Sequence, residues 1–284
     1  MTWRIHHGDA LRVLALLPEG RFHTCVTSPP YYSLRSYLPE VHPDKHLEIG
    51  NEVSPDEYVQ RLVEVFRGVR RCLRDDGTVW LNLGNSYARR GGTQGGRGDR
   101  ALSHMEGVSK RMTKIPEGSG LKPKDLIPIA WMVGLALQRD GWWLRADNIW
   151  QKPSVMPSSV TDRTTISHEY LLLLSKKERY FYDWFAIREP ATYGDHPRNG
   201  TKDMGDIQAP GQSKQTGLTN LRRNGGYVPS EYRNHRSVWT IPTQGFDEEH
   251  FAAFPPALVE PCLLAGTSER GCCPTCGVPW KRVL

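Results

Sequence analysis

Residues 22–32 read FHTCVTSPPYY. A run of strand-forming residues ends on two adjacent prolines. Neither proline offers a backbone N–H to a ladder, and each fixes its own φ, so a strand through 22–27 has to stop at Ser28. The chain is then locked into a rigid corner carrying a hydroxyl, two prolyl rings and two aromatic side chains. The neighbouring segments say what kind of sheet ends there. Residues 3–9, WRIHHGD, read as a short strand ending at Gly8-Asp9, and ALRVLALLPEG has helical spacing, with Leu11, Leu14 and Leu17 on one side. A strand, a helix and a strand within some thirty residues predict a βαβ unit and a parallel sheet.

The alternation continues. Ser54-Pro55-Asp56-Glu57 has the N-cap, the first-turn proline and the capping-box acid of a helix start. Val59, Leu62, Val63, Phe66, Val69 and Leu73 then recur at helical spacing, Asp76-Gly77 marks the stop, and TVWLNLG, 78–84, is a buried strand. A further helix is expected over 125–140 and a strand over 143–150. SHEYLLLLSKKERYFYD, 167–183, reads as two strands turning near Lys176-Lys177. HFAAFPPALVEPCLLA, 250–265, returns to helical character. The expected domain plan is a catalytic part over 1–185 with a basic loop at 89–124, a recognition segment over 186–245, a helix-bearing return over 246–270 and a cysteine knuckle over 271–284.

Composition excludes some classes. The 284 residues are 38% hydrophobic and 24% charged, enough to bury a core, and contain no run of about 18 apolar residues that would form a transmembrane helix. The N-terminus lacks the apolar stretch of a signal peptide. Three of the six cysteines crowd into 272–276, unlike a secreted disulfide framework, so a cytoplasmic location without a membrane partner is expected. Net charge is +6. It concentrates between Arg89 and Lys124, where nine basic residues meet three acidic ones behind the glycine-rich GGTQGGRGDR. Such a loop suits phosphate contact, although a merely solvated loop has the same composition.

In a parallel sheet, ligands sit at the carboxyl ends of the strands. Gly8-Asp9 and Ser28-Pro29-Pro30-Tyr31 both fall there. Asp9 suits hydroxyls or amines of an adenosine-like ligand, although an aspartate at such a place is more commonly the N-cap of the helix after it. The Ser28–Tyr31 corner is more specific. It resembles the (Ser/Asp/Asn)-Pro-Pro-(Tyr/Phe/Trp) corner of the DNA amino-methyltransferases, which methylate an exocyclic nitrogen. The resemblance also covers GDAL (8–11), DGTVWLNLGNSY (76–87), DGWWLRADNIWQKP (140–153), SVTDRTTISHEYLLLLSK (159–176) and HFAAFPPALVEPCLLAGTSERG (250–271).

The order of these blocks is that of the circularly permuted beta class. The resemblance implies an α/β, Rossmann-like methyltransferase fold with a mainly parallel sheet, and S-adenosylmethionine as cofactor. Gly8, Asp9, Thr27, Phe254 and Pro255 are its expected cofactor side. Ser28, Pro29, Pro30 and Tyr31 hold the flipped base. Ser at the first position implies N4 of cytosine as target, with N6 of adenine the alternative. Double-stranded DNA is the implied partner, and a restriction endonuclease of the same system and a homodimer are further expectations. Arg89, Arg90, Lys152, Arg222 and Arg223 are candidate DNA contacts.

The chemistry fits the residue types. An exocyclic amine has its lone pair delocalised into the ring, so it needs fixed acceptors that draw the pair out and stabilise the nitrogen as it becomes cationic. The base must leave the duplex to reach them, and Tyr31 offers a ring to lie on. Two further features read differently. Pro261-Cys262 matches a cytosine C5-methyltransferase nucleophile, but Cys262 pairs with Leu258 at i, i+4 on an apolar helix face and reads as a small hydrophobe. Cys273 and Cys276 form a CxxC knuckle; zinc takes four ligands and no second pair follows, so zinc binding by this chain alone is not expected. The family's Gly-rich Phe-x-Gly-Ser-Gly turn has no counterpart after residue 250. The expectation is therefore that the C-terminal cofactor strands are missing. A catalytically incomplete DNA-binding chain is the rival reading.

Overall fold

The computed structural model describes residues 3–34, 36–39, 41–88, 120–155, 157–191, 231–244 and 254–283. Along the chain run α1 (Ala10–Leu16), β1 (Phe22–Thr27), α2 (Pro55–Cys72), β2 (Leu73–Leu83), β3 (Ser86–Tyr87), β4 (Leu126–Ile127), α3 (Ile129–Arg139), β5 (Trp143–Gln151), β6 (His168–Ser175), β7 (Glu189–Pro190), β8 (Tyr232–Arg233), β9 (Val238–Thr240) and α4 (Pro256–Gly266). Two compact units result, one from 1–183 with 236–284 and the other from 184–235. In the smaller unit β7 and β8 pair antiparallel, and Arg233 Nε donates to Glu189 Oε1 at 2.8 Å.

The larger unit holds a five-stranded sheet in the order β1-β2-β6-β5-β9. The expected mainly parallel sheet is mixed instead. β1 and β2 are parallel, as are β5 and β9, but β6 runs antiparallel to both β2 and β5. β5 and β6 are joined by an irregular connection with no crossover helix, and without one two neighbouring strands return antiparallel.

Two expected strands do not form. Residues 3–9 pair with no strand among the described residues, and Trp3 and Ile5 are 80% and 81% exposed. Alternating side chains supply a strand face, yet a strand also needs a ladder neighbour, and among the described residues β1 pairs only with β2. Residues 178–183 likewise carry no ladder. The Phe181 N–H donates to Asp76 O instead, and the Asp183 N–H to Ala265 O.

Helix α2 begins as its sequence dictates. Ser54 accepts from the Glu57 N–H, and Glu57 reaches back to the Val53 N–H. Its apolar stripe, Tyr58, Val59, Leu62, Val63, Phe66 and Val69, packs with Ile129, Ala130, Val133 and Leu137 of α3 and with Val79, Leu81, Leu83, Leu172 and Leu174 of the sheet. Helix α4 lies against β1 and β2, with Leu258, Cys262 and Ala265 buried. Because helices cover both sides, the second half of β2 is buried without alternation.

Candidate active site

Strand direction brings four segments to one end of the sheet. β1 ends at Thr27 and turns into Ser28-Pro29-Pro30-Tyr31. Its parallel neighbour β2 delivers Asn82, Leu83 and then Gly84. β6 is antiparallel, so its beginning arrives there, with Leu83 opposite Tyr170 and Trp150 of β5 opposite Glu169. Lys152 follows β5.

These segments converge on Tyr31. Its hydroxyl lies 2.6 Å from Glu169 Oε2 and 3.0 Å from Asn82 Oδ1. Asn82 is oriented by its own Nδ2, which donates to Tyr170 O at 3.2 Å. Glu169 Oε1 pairs with the Lys152 ammonium, which also sits 4.3 Å from the centre of the Trp150 ring. Burial, and after it the charge and hydrogen bond of Glu169, push the Tyr31 phenol well above its ordinary range, while a hydrogen bond with the Ser28 side chain works the other way. The ring rests on Gly84, where a Cβ would stand 2.9 Å from Cε2.

The corner is clamped from below as well. The Tyr58 hydroxyl donates to Pro30 O at 2.9 Å. Tyr58 is fully buried and burial raises its phenol, so it stays a donor. Of the two prolyl carbonyls, that of Pro30 is thus engaged. Gly50, at φ +102°, passes so close that a Cβ would lie 3.1 Å from Tyr31 O, and its own carbonyl accepts from the Ser33 N–H at 2.7 Å.

The loop that carries Gly50 is tied together by one carboxylate. Glu48 accepts from the Tyr37 and Leu38 N–H groups, the Ser36 hydroxyl and the Asn51 amide, and pairs with Lys45 at 2.8 Å. Burial raises its carboxyl, but the hydrogen bonds from Lys45, Tyr37, Leu38 and Ser36 together outweigh it and hold the group below its ordinary value of 4.5. A depressed carboxyl stabilises the fold above its unfolded value and loses that contribution as pH falls through the folded one. Urea midpoints of the wild type should therefore drop on acidification below pH 4.5. Glu48→Gln should cost about 2 kcal/mol at neutral pH and flatten that acid dependence. Parallel curves for the two proteins would refute this role.

The other expected site residues distribute as follows. Asp9 caps α1, its Oδ1 accepting from the Arg12 N–H at 3.0 Å, behind Gly8. Thr27 is partly buried at the end of β1, and Phe254 and the buried Pro255 open α4. Lys152, expected at DNA, is engaged with Glu169 and is only 19% exposed. Arg89, Arg90, Arg222 and Arg223 lie outside the described residues. Cys262 is fully buried, its thiol donates to Leu258 O, and burial raises it far from a thiolate, as a small hydrophobe requires. Cys273 and Cys276 do form a tight turn: the Gly277 N–H donates to Cys273 O, and N–H groups of Cys276 and Thr275 lower the Cys273 thiol. Among the described residues no three His, Cys, Asp or Glu side chains converge as a metal site.

Tyr58, Asn82, Gly84 and Glu169 are site residues that pattern reading passed over. Tyr58 and Asn82 look like ordinary positions of an apolar stripe and a buried strand. Glu169 did carry a signal, as an acid at the head of the otherwise apolar HEYLLLL.

The model of the DNA methylase family matches residues 22–273. The chain belongs to that family. It is 40% identical to the Type II methyltransferase M.Cfr9I of Citrobacter freundii, over 93% of this chain and 72% of the relative. It is also 40% identical to the Type II methyltransferase M.SmaI of Serratia marcescens, over 93% and 75%. Among solved structures, PvuII DNA methyltransferase (cytosine-N4-specific) matches with a TM-score of 0.50 at 16% identity, over 92% of this chain and 69% of that one, a likeness of fold.

Proposed function

We propose that this DNA methylase transfers a methyl group from S-adenosylmethionine to the exocyclic N4 of a cytosine flipped out of duplex DNA. The observation that carries this reading is the corner itself, a serine and two prolines held rigid at the carboxyl end of β1, beside a tyrosine whose hydroxyl is pinned. Serine at the head of the corner and the cytosine-N4 specificity of the PvuII enzyme favour cytosine over N6 of adenine. The Type II names of the relatives favour a restriction endonuclease partner in the same system.

Each residue then has a task. The Ser28 hydroxyl and the Pro29 carbonyl accept the amine N–H bonds and draw its lone pair out of conjugation. Tyr31 supports the base from one side. S-adenosylmethionine supplies an already activated methyl. The residues near the end of β1 suit it chemically: Asp9 keeps Oδ2 for a hydroxyl or ammonium, and Phe254-Pro255 give an apolar wall. Fixing amine and methyl in line contributes on the order of 7–11 kcal/mol in such reactions. Arg89, Arg90, Arg222 and Arg223 serve phosphates or base edges, with recognition assigned to 186–245.

The test is transfer of labelled methyl to duplex DNA, followed by identification of the modified nucleoside. N4-methylcytosine is expected. N6-methyladenine would overturn the cytosine assignment. Salt-dependent DNA binding with no calorimetric heat from S-adenosylmethionine would favour the rival, a DNA-binding chain without catalysis.

A further inference from the structure

Methylating an amine leaves a surplus proton. Before transfer the nitrogen carries two hydrogens; afterwards it is a cation with two hydrogens and a methyl group. One N–H proton must leave before the product is neutral. The residues in direct reach, Ser28 and the prolyl carbonyls, are poor terminal acceptors. A carboxylate is a better one, and Glu169 touches the corner through a single hydroxyl.

The geometry of that contact is that of a proton wire. Tyr31 OH is 2.6 Å from Glu169 Oε2, in the range of a charge-assisted O–H···O bond. Asn82 Oδ1, at 3.0 Å, is the neutral second acceptor and fixes the phenol from the other side. Ser28 heads the same corner and its side chain acts on the same phenol, so hydroxyls lead from the corner to the carboxylate. Lys152 holds the other oxygen of Glu169. This side chain was expected at DNA, and its ion pair gives the carboxylate a fixed direction. The pair is partly buried, at 19% and 18% exposure, and a partly buried charge pair beside a reactive corner marks function more than stability.

We propose that Glu169 is the terminal acceptor for the proton shed by the methylated nitrogen, delivered through Ser28 and Tyr31 and aimed by Lys152. The inference rests on the methyltransfer reading above, and it serves cytosine N4 and adenine N6 alike. As the N–C bond forms, the C–S bond of the sulfonium breaks and its electron pair stays on sulfur. An N–H proton then passes to Ser28 Oγ, the Ser28 proton passes to Tyr31, and the Tyr31 proton passes to Glu169. Both hydroxyls are regenerated, and a neutral carboxylic acid remains beside Lys152 until it releases the proton to solvent. A carboxylate suffices as acceptor, because a nitrogen cation beside an electron-poor ring is a far stronger acid than a carboxylic acid.

The test uses Tyr31→Phe, Glu169→Gln, their double variant and Glu169→Asp. Each of the first two should lower kcat about tenfold with the KM for DNA nearly unchanged, the double variant should be no slower than either, and Glu169→Asp should recover part of the loss. Full wild-type kcat in Tyr31→Phe or Glu169→Gln overturns the wire while leaving the methyltransfer reading intact. No methyl transfer by the wild type overturns both. A second readout needs no cofactor: the Tyr31 carbon resonance, identified by its loss in Tyr31→Phe, should titrate at lower pH in Glu169→Gln than in the wild type. An unchanged titration overturns the contact itself. Should Glu169→Gln fold poorly because Lys152 loses its partner, Glu169→Gln with Lys152→Met removes both charges, and the wire predicts the same loss of kcat there.

Discussion

Gly84→Ala is expected to cut methyl transfer about a hundredfold while leaving the unfolding midpoint nearly unchanged. The added Cβ would stand 2.9 Å from Tyr31 Cε2 and 3.3 Å from Cδ2, where ordinary carbon contacts lie at about 3.5–4.0 Å. Gly84 has no positive φ, so its own backbone accepts alanine. The whole cost falls on the Tyr31 ring. That ring has little freedom to yield. Its hydroxyl is tied to Glu169 and Asn82, and its backbone leaves two prolines whose second carbonyl is tied to Tyr58. It must tilt by a few tenths of an ångström or break the bond to Glu169. Either outcome shifts the base against its acceptors. The check is kcat on duplex DNA beside a denaturation curve. Wild-type kcat would show that Tyr31 does not set the position of the base.

The corner and the helices around it were legible because local rules fix them. Two prolines end a strand in any context, and Ser54-Pro55-Asp56-Glu57 starts a helix through contacts within one turn. The direction of β6 was not legible. Its residues read as buried strand in either orientation, and only the absence of a crossover helix after β5 makes it antiparallel. That reversal carries the site's least legible part. It brings the first residues of β6, and with them Glu169, to the end where β1 stops. Strand 3–9 failed for a related reason: its alternation is local, but its partner is not. Lys152 reads as a candidate DNA contact, because sequence gives its charge and not its partner, which in the fold is Glu169.

Trp80→Ala should be the most damaging single change to the fold, at about 3–5 kcal/mol. Trp80 is 1% exposed on the side of β2 that faces α4. Its ring lies 5.7 Å from that of Trp239 on β9 and 6.4 Å from that of Tyr182. One side chain therefore ties the second strand of the sheet to its far edge, across β6 and β5. Alanine would leave a cavity that no neighbour can close, since Leu171 and Leu173 are already packed there. Trp80→Phe should cost much less. It keeps a ring and removes an indole N–H that is buried with no hydrogen-bond partner among the described residues, an arrangement that itself costs about 1–3 kcal/mol. Side chains two apart on a strand share a face, so Trp80 also underlies Asn82 and through it Tyr31. The alanine variant should lose activity in its folded fraction, and the phenylalanine variant should keep it. Denaturant midpoints for the two variants separate the terms, and equal losses would show that the ring's contacts with Trp239 and Tyr182 do not hold the sheet's edge.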